Sequence, residues 1–171
     1  DAAVFQVNTQ HDNEETCGEV FSVILRCMDE FGNDVSSYVH VHHLTWTWTA
    51  VTSPNGVMPD RPLNGNADFE YGVATIPGFR LTNATQTPTI SATDGNVRGT
   101  STAMKIKPNK AVFFDIAVPS PVTVNRPFNI SKIVAKDTFG NVALSYSGDK
   151  ILLYSGPATD TVNGNPGYTY A

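Results

Sequence analysis

The sequence predicts an all-β chain of antiparallel sandwiches, and three observations carry that prediction. β-Branched residues dominate, with 18 Val, 8 Ile and 19 Thr against 7 Leu in 171 residues, and side chains forked at Cβ favour the pleated strand over the helix. Thirteen Gly and 11 Pro break the chain at short intervals, as turns between short strands require. A long stretch of strand and turn then recurs about 108 residues further on, which marks a repeated unit. Charge and hydropathy exclude other classes. The 11 Lys and Arg against 16 Asp and Glu leave a net charge of −5, and without clustered cations there is no footprint for nucleic acid. No apolar run approaches the roughly 20 residues of a membrane helix, so no membrane span is expected in this segment.

The elements follow in chain order. Ala3 to Val7 alternates apolar and polar side chains and reads as the first strand. Phe21 to Met28 is the second, closed by the turn Asp29-Glu-Phe31-Gly32-Asn33, where Gly supplies the positive φ that a tight turn after Asp demands. The two Phe of this turn and its repeat, Phe31 and Phe139, are expected to cap a sandwich end. The third strand runs through His40-Val-His42-His43-Leu-Thr-Trp46-Thr-Trp48, and a long connection, with a loop at Leu63 to Tyr71, leads on. Three further strands are expected in Gly72 to Leu81, Pro88 to Asp94 and Gly99 to Ile106, the last two joined by the turn at Asp94-Gly-Asn.

The repeat matches Phe21 to Tyr38 with Phe128 to Tyr146. From Asp29/Asp137 to Tyr38/Tyr146 the offset is a constant 108, whereas Phe21 to Phe128 is 107, so one extra residue falls in the second copy's strand, where a β-bulge would absorb it. The beginnings match as well, Ala3 to Val7 with Val112 to Ile116, as do Leu63 to Tyr71 and Val162 to Tyr170 at an offset of 99. The second copy stops where its fifth strand should start. The expectation is therefore one complete unit at 1–107, a linker at 108–110 and the first half of a second unit at 111–171. Either the sequence is a window cut from a longer array of repeats, the favoured reading, or the missing strands come from another chain.

A strand followed by Asp-x-Phe-Gly-Asn-x-Val and Tyr, with Pro121-Val-Thr-Val-Asn-Arg-Pro-Phe128 leading in and Ile90 to Ser101 as a closing hairpin, resembles the bacterial Ig-like repeat domains of invasin/intimin-type surface adhesins and stalk proteins. The resemblance implies tandem Ig-like antiparallel β-sandwiches, the second incomplete, at the cell surface or outside the cell. His and Trp residues on the third strand, and Cys17 where the second copy has Val, depart from the family's usual small and aliphatic residues.

Candidate chemistry is sparse. His40 and His42 would share a strand face and offer two imidazoles to a metal, but two ligands do not make a site, and solvated or cross-strand histidines are the expected reading. Trp46 and Trp48 share a face; exposed, they would stack on a sugar, but core packing is favoured for Trp46. Asp29, Asp34 and Asp137 could ligate calcium only if several carboxylates converged, and the linker Lys105 to Lys110 is basic; Pro108 is the expected source of its stiffness. Cys17 and Cys27, separated by one extended strand, are not expected to bridge: Cys27 reads as a buried thiol and Cys17 as free or bonded to another chain, unless a turn at Gly18 folds the lead-in back. Asn83 and Asn129 head glycosylation sequons, Asn83 in a polar loop and Asn129 on a strand. No catalytic set and no cofactor cradle is found. The expected function is that of a non-catalytic structural repeat of an extracellular or cell-surface stalk, adhesin or filament. Its partners would be further Ig-like repeats of the same chain or neighbouring copies, with a host glycan or protein as a further candidate. The alternatives are a glycan- or protein-binding module using Trp46/Trp48 or the 52–66 loop, and an accessory domain of a secreted enzyme.

Overall fold

A computed structural model describes residues 1–123 and 126–153. The described residues hold eleven strands and no helix: β1 (Val4–Thr9), β2 (Glu14–Thr16), β3 (Val20–Met28), β4 (His40–Trp48), β5 (Gly65–Phe69), β6 (Val73–Arg80), β7 (Ile90–Thr93), β8 (Arg98–Thr100), β9 (Lys105–Lys107), β10 (Phe113–Ala117) and β11 (Lys132–Lys136). Seven of them form one sheet in the order β5-β4-β7-β8-β1-β3-β6. Every pairing in it is antiparallel except β1 with β8, which meet in parallel at Val4 and Arg98. The two edge strands β5 and β6 are joined by the tight turn Glu70 to Val73, whose two ends exchange backbone hydrogen bonds of 2.9 and 3.0 Å. The sheet thereby curls back on itself and is nearly barrel-shaped.

Alternation along the strands builds the core. β3 turns Phe21, Val23, Leu25 and Cys27 inward, and β1 turns Phe5 and Val7 toward them. Leu44, Trp46, Phe69, Phe79, Ile90 and Met104 close the interior. Each fully buried side chain of this size contributes about 1.5–3 kcal/mol. The aromatic members interlock: Phe5 stacks on Phe69 at 5.6 Å, and Trp46 meets Phe79 edge to face at 5.1 Å.

Four features depart from the sequence reading. Residues expected as a loop, Gly65 to Phe69, form β5, because Phe69 is buried and His40 to Leu44 supply a complete antiparallel partner. The strand expected over Gly99 to Ile106 is split into β8 and β9, and β9 pairs in parallel with β2, whose Glu14-Glu-Thr carries too few apolar residues to show a period. The bulge lies on β6 of the first copy, where Pro77 and Gly78 stand opposite Ser22 alone in the β3 ladder. Pro77 has no N–H to donate and Gly78 takes φ +98°, so these two residues are suited to leave the ladder. In the second copy the expected strand from Phe128 begins only at Lys132, and β10 and β11 form a separate hairpin in register Phe113 with Lys136. The expected repeat of Leu63–Tyr71 at 162–170 lies outside the described residues.

Both cysteines are buried and free, in keeping with a strand between them too long to bridge.

Candidate functional site: a turn seated on the larger body

The Asp-x-Phe-Gly-Asn turn is built from its own side chains. In the first copy the Asp29 carboxylate accepts from the N–H groups of Phe31 (2.9 Å) and Asn33 (2.8 Å), and the Asn33 amide returns a bond of 3.0 Å to its other oxygen. The Asn33 side-chain amide is the main reason the Asp29 carboxyl lies below the usual carboxylate range. In the second copy Asp137 accepts from Phe139 and Asn141, both at 2.9 Å, and from the Asn141 amide at 3.0 Å. The backbone agrees as well: Gly32 donates to Asp29 O and Gly140 to Asp137 O, and the two glycines sit at φ +83° and +84°. Two pentapeptides 108 positions apart thus fold hydrogen bond for hydrogen bond alike, because the turn needs only a carboxylate at its start, a left-handed Gly and a terminal amide.

Their surroundings differ completely. Asp137 is fully buried and Phe139 nearly so, whereas the Phe31 ring is 80% exposed. The second turn is seated on three loops of the larger body. Its Phe139 ring lies over Gly18, where a Cβ would come within 2.4 Å of the ring. The Phe139 carbonyl accepts from Asn55 N–H at 3.1 Å, and Gly140 lies against the Asn55 side chain. Asn141 joins the two sides: its amide donates to the Thr82 carbonyl at 3.0 Å and lies 3.4 Å from Cys17 Sγ, and its oxygen accepts from Ala84 N–H at 2.9 Å. The linker completes the seat, with Asn109 N–H donating to Asp137 Oδ2 at 3.0 Å and its side chain to the Cys17 carbonyl at 2.9 Å. Asn109 therefore ties the linker down on both sides, next to Pro108, which the sequence reading took as the source of its stiffness. Burial, and then the Asp137 charge, push the Cys17 thiol up to about 12 against the opposing hydrogen bond of Asn141.

Phe139 thus caps an end of the larger body, whereas Phe31 caps nothing among the described residues. The reason is positional: β3 and β11 both carry the turn beyond their ends, but only the second turn has a Gly18-like floor to land on. The socket residues Cys17, Gly18, Asn55, Thr82, Ala84 and Asn109 were missed because they come from separate loops and share no motif. The one available signal was Gly18 itself, which sits in the turn between β2 and β3 at φ +82°.

The other candidates are placed as follows. His42 is held by its neighbours, with its ring 4.0 Å from Tyr38, one nitrogen 3.0 Å from the Tyr38 hydroxyl and the other donating to the Val39 carbonyl at 3.0 Å. Asp94 hydrogen-bonds the same hydroxyl. Burial, and then this bond, push the Tyr38 hydroxyl upward. Burial also opposes ionisation of Asp94, but the Tyr38 bond, the Val97 and Asn96 N–H groups and nearby His42 outweigh it and hold the carboxyl below its ordinary value. His40 is exposed at φ +72°, which interrupts the alternation that would set it beside His42. Among the described residues no three His, Cys, Asp or Glu converge as a metal would require. Asp34 pairs with Arg26 at 2.8 Å at the surface. Trp46 is buried at 3% exposure, and Trp48 is half-buried at the strand end. Asn83 is buried, its Nδ2 donating to the Thr52 carbonyl at 2.8 Å, so the nitrogen a glycan would need is engaged rather than offered in a polar loop. Asn129 is exposed and lies before β11 rather than on a strand. Among the described residues no helix is long and apolar enough to cross a membrane.

Comparison with protein families, with curated proteins and with solved structures finds no match for this chain.

Proposed function

We propose that the chain is a non-catalytic structural segment of a long extracellular or cell-surface protein, a stalk, adhesin or filament, in which Ig-like β-sandwiches stand in tandem at 1–107 and from 111 onward. The observation that carries this reading is the seating of the Asp137–Asn141 turn. A joint whose polar groups are paired on both sides, with a linker residue clamped between them, hands orientation and load from one unit to the next. A free linker does neither. The recurrence of the same turn 108 residues apart supports the tandem arrangement, and the exposed Thr45 and Thr47 of β4 lie on the polar face a solvated rod needs. A sugar-stacking use of Trp46 and Trp48 is disfavoured by the burial of Trp46 beneath Phe79.

The test is to stretch the 171-residue chain between its ends in a single-molecule force experiment. The expected record is a short release as the joint parts, followed by one sharp rupture of the larger body that frees about 350 Å of chain, at about 3.3 Å per residue. Gradual lengthening with no discrete rupture would overturn a load-bearing role.

A further inference from the structure

The Asp29–Asn33 turn is formed to the same pattern as Asp137–Asn141, yet nothing among the described residues covers it. Among the described residues its Phe31 side chain is exposed, its Asn33 oxygen has no donor, and Asp29 Oδ2 accepts only the Asn33 amide where Asp137 Oδ2 also takes the linker N–H of Asn109. An exposed Phe on a pre-ordered turn is unusual for a loop tip, where small polar residues are the rule. The chain itself displays what such a turn fits: a floor at Cys17 and Gly18, walls at Asn55 and Thr82 to Ala84, and Asn109 reaching in from the linker. Those contacts fall on the Phe, Gly and Asn that the two turns share. The residues that differ, Glu30 for Thr138 and Asp34 for Val142, take part in them only through the backbone carbonyl of residue 138.

We infer that the Asp29–Asn33 turn is a docking knob for a second body built like residues 1–107, and that it enters that body's Cys17/Gly18, Asn55 and Thr82–Ala84 socket as Asp137–Asn141 does here. The larger body then carries a socket at one end and a matching knob at the other, and copies join head to tail through one repeated contact. This inference rests on the structural-repeat reading above and names its partner. Phe31 would lie over the partner's Gly18, Asn33 would bond its residues 82 and 84, and the Asn109 N–H would reach Asp29 Oδ2.

The experiment adds a copy of residues 1–109 ahead of the full chain, so that Asp1 follows Asn109 as Lys110 does now. Cys27 is replaced by Ala in both copies and Cys17 by Ala in the original, leaving Cys17 of the added copy as the sole thiol for a maleimide probe. The scale is set by the 171-residue chain carrying Cys27→Ala, in which Phe139→Ala with Asn141→Ala should speed Cys17 modification at least about tenfold as its cover is removed. In the extended chain the added Cys17 should react as slowly as the covered one, and Phe31→Ala with Asn33→Ala should speed it by the same factor. Equal rates with and without those two substitutions would overturn the knob while leaving the seated joint intact. If Phe139→Ala with Asn141→Ala fails to expose Cys17 in the 171-residue chain, the seated joint itself falls, and with it the functional reading.

Discussion

Asn141 engages its entire side-chain amide in the joint, bonding Thr82, Ala84 and Asp137 at once. Truncation to Ala strands buried partners on both sides and is expected to cost about 1–3 kcal/mol, measured by urea unfolding of the 171-residue chain. Gly18→Ala should weaken the same joint by a comparable amount, because the residue sits at φ +82° and its new methyl would collide with the Phe139 ring. Cys17 adds a pH dependence whose sign follows from its raised pKa. The unfolded thiol ionises near its ordinary 9.0, the folded one only near about 12. Its contribution is complete below about pH 9 and is lost as pH climbs toward about 12. Relative to Cys17→Ala, the native chain should therefore lose roughly 1–2 kcal/mol of stability by about pH 10.5, a comparison that cancels the lysines and tyrosines titrating in both chains.

At the scale of the element, Gly99 holds the sheet closed. β8 approaches β1 so tightly that a Cβ at Gly99 would come within 1.8 Å of the Phe5 carbonyl oxygen. Gly99→Ala is expected to push the strands apart at the single parallel pairing of the sheet and to destabilise the chain by about 2–4 kcal/mol. Thermal unfolding followed by Trp46 emission would report it, since that ring is packed on Phe79 and should emit to the blue until the core opens. Strands with strong alternation, such as Val20–Met28 and Ile90–Thr93, were legible in the sequence because one face meets the core. β2 and β5 were not: β2 is three residues long and pairs with β9, 91 positions away, and β5, Gly-Asn-Ala-Asp-Phe, has turn-forming residues and becomes a strand only because β4 offers it a complete partner. The five-residue turn was legible down to its glycine conformation, since its chemistry is local. The socket was not, because it assembles from positions 17, 55, 82 and 109 only after the fold is made.

For the whole molecule, the clamped linker implies that residues 1–107 and the β10–β11 hairpin move together. Backbone ¹⁵N relaxation should give both regions one correlation time in the native chain. With Phe139→Ala and Asn141→Ala combined, the hairpin should relax as a smaller, faster body while the larger one keeps its own fold. Unchanged relaxation in that variant would mean that contacts other than the seated turn hold the hairpin.

The unequal exposure of the two matching turns also bears on how a mutational scan of this chain would read. Substitutions at Phe139 and Asn141 register as lost stability, whereas Phe31 packs on nothing among the described residues and Asn33 gives up only its exposed bond to Asp29 within the turn, so both fall within about 0.5 kcal/mol and score as near neutral. A scan of the isolated chain would rank half of a duplicated motif as dispensable, and the selective value of that half would emerge only when whole assemblies are screened.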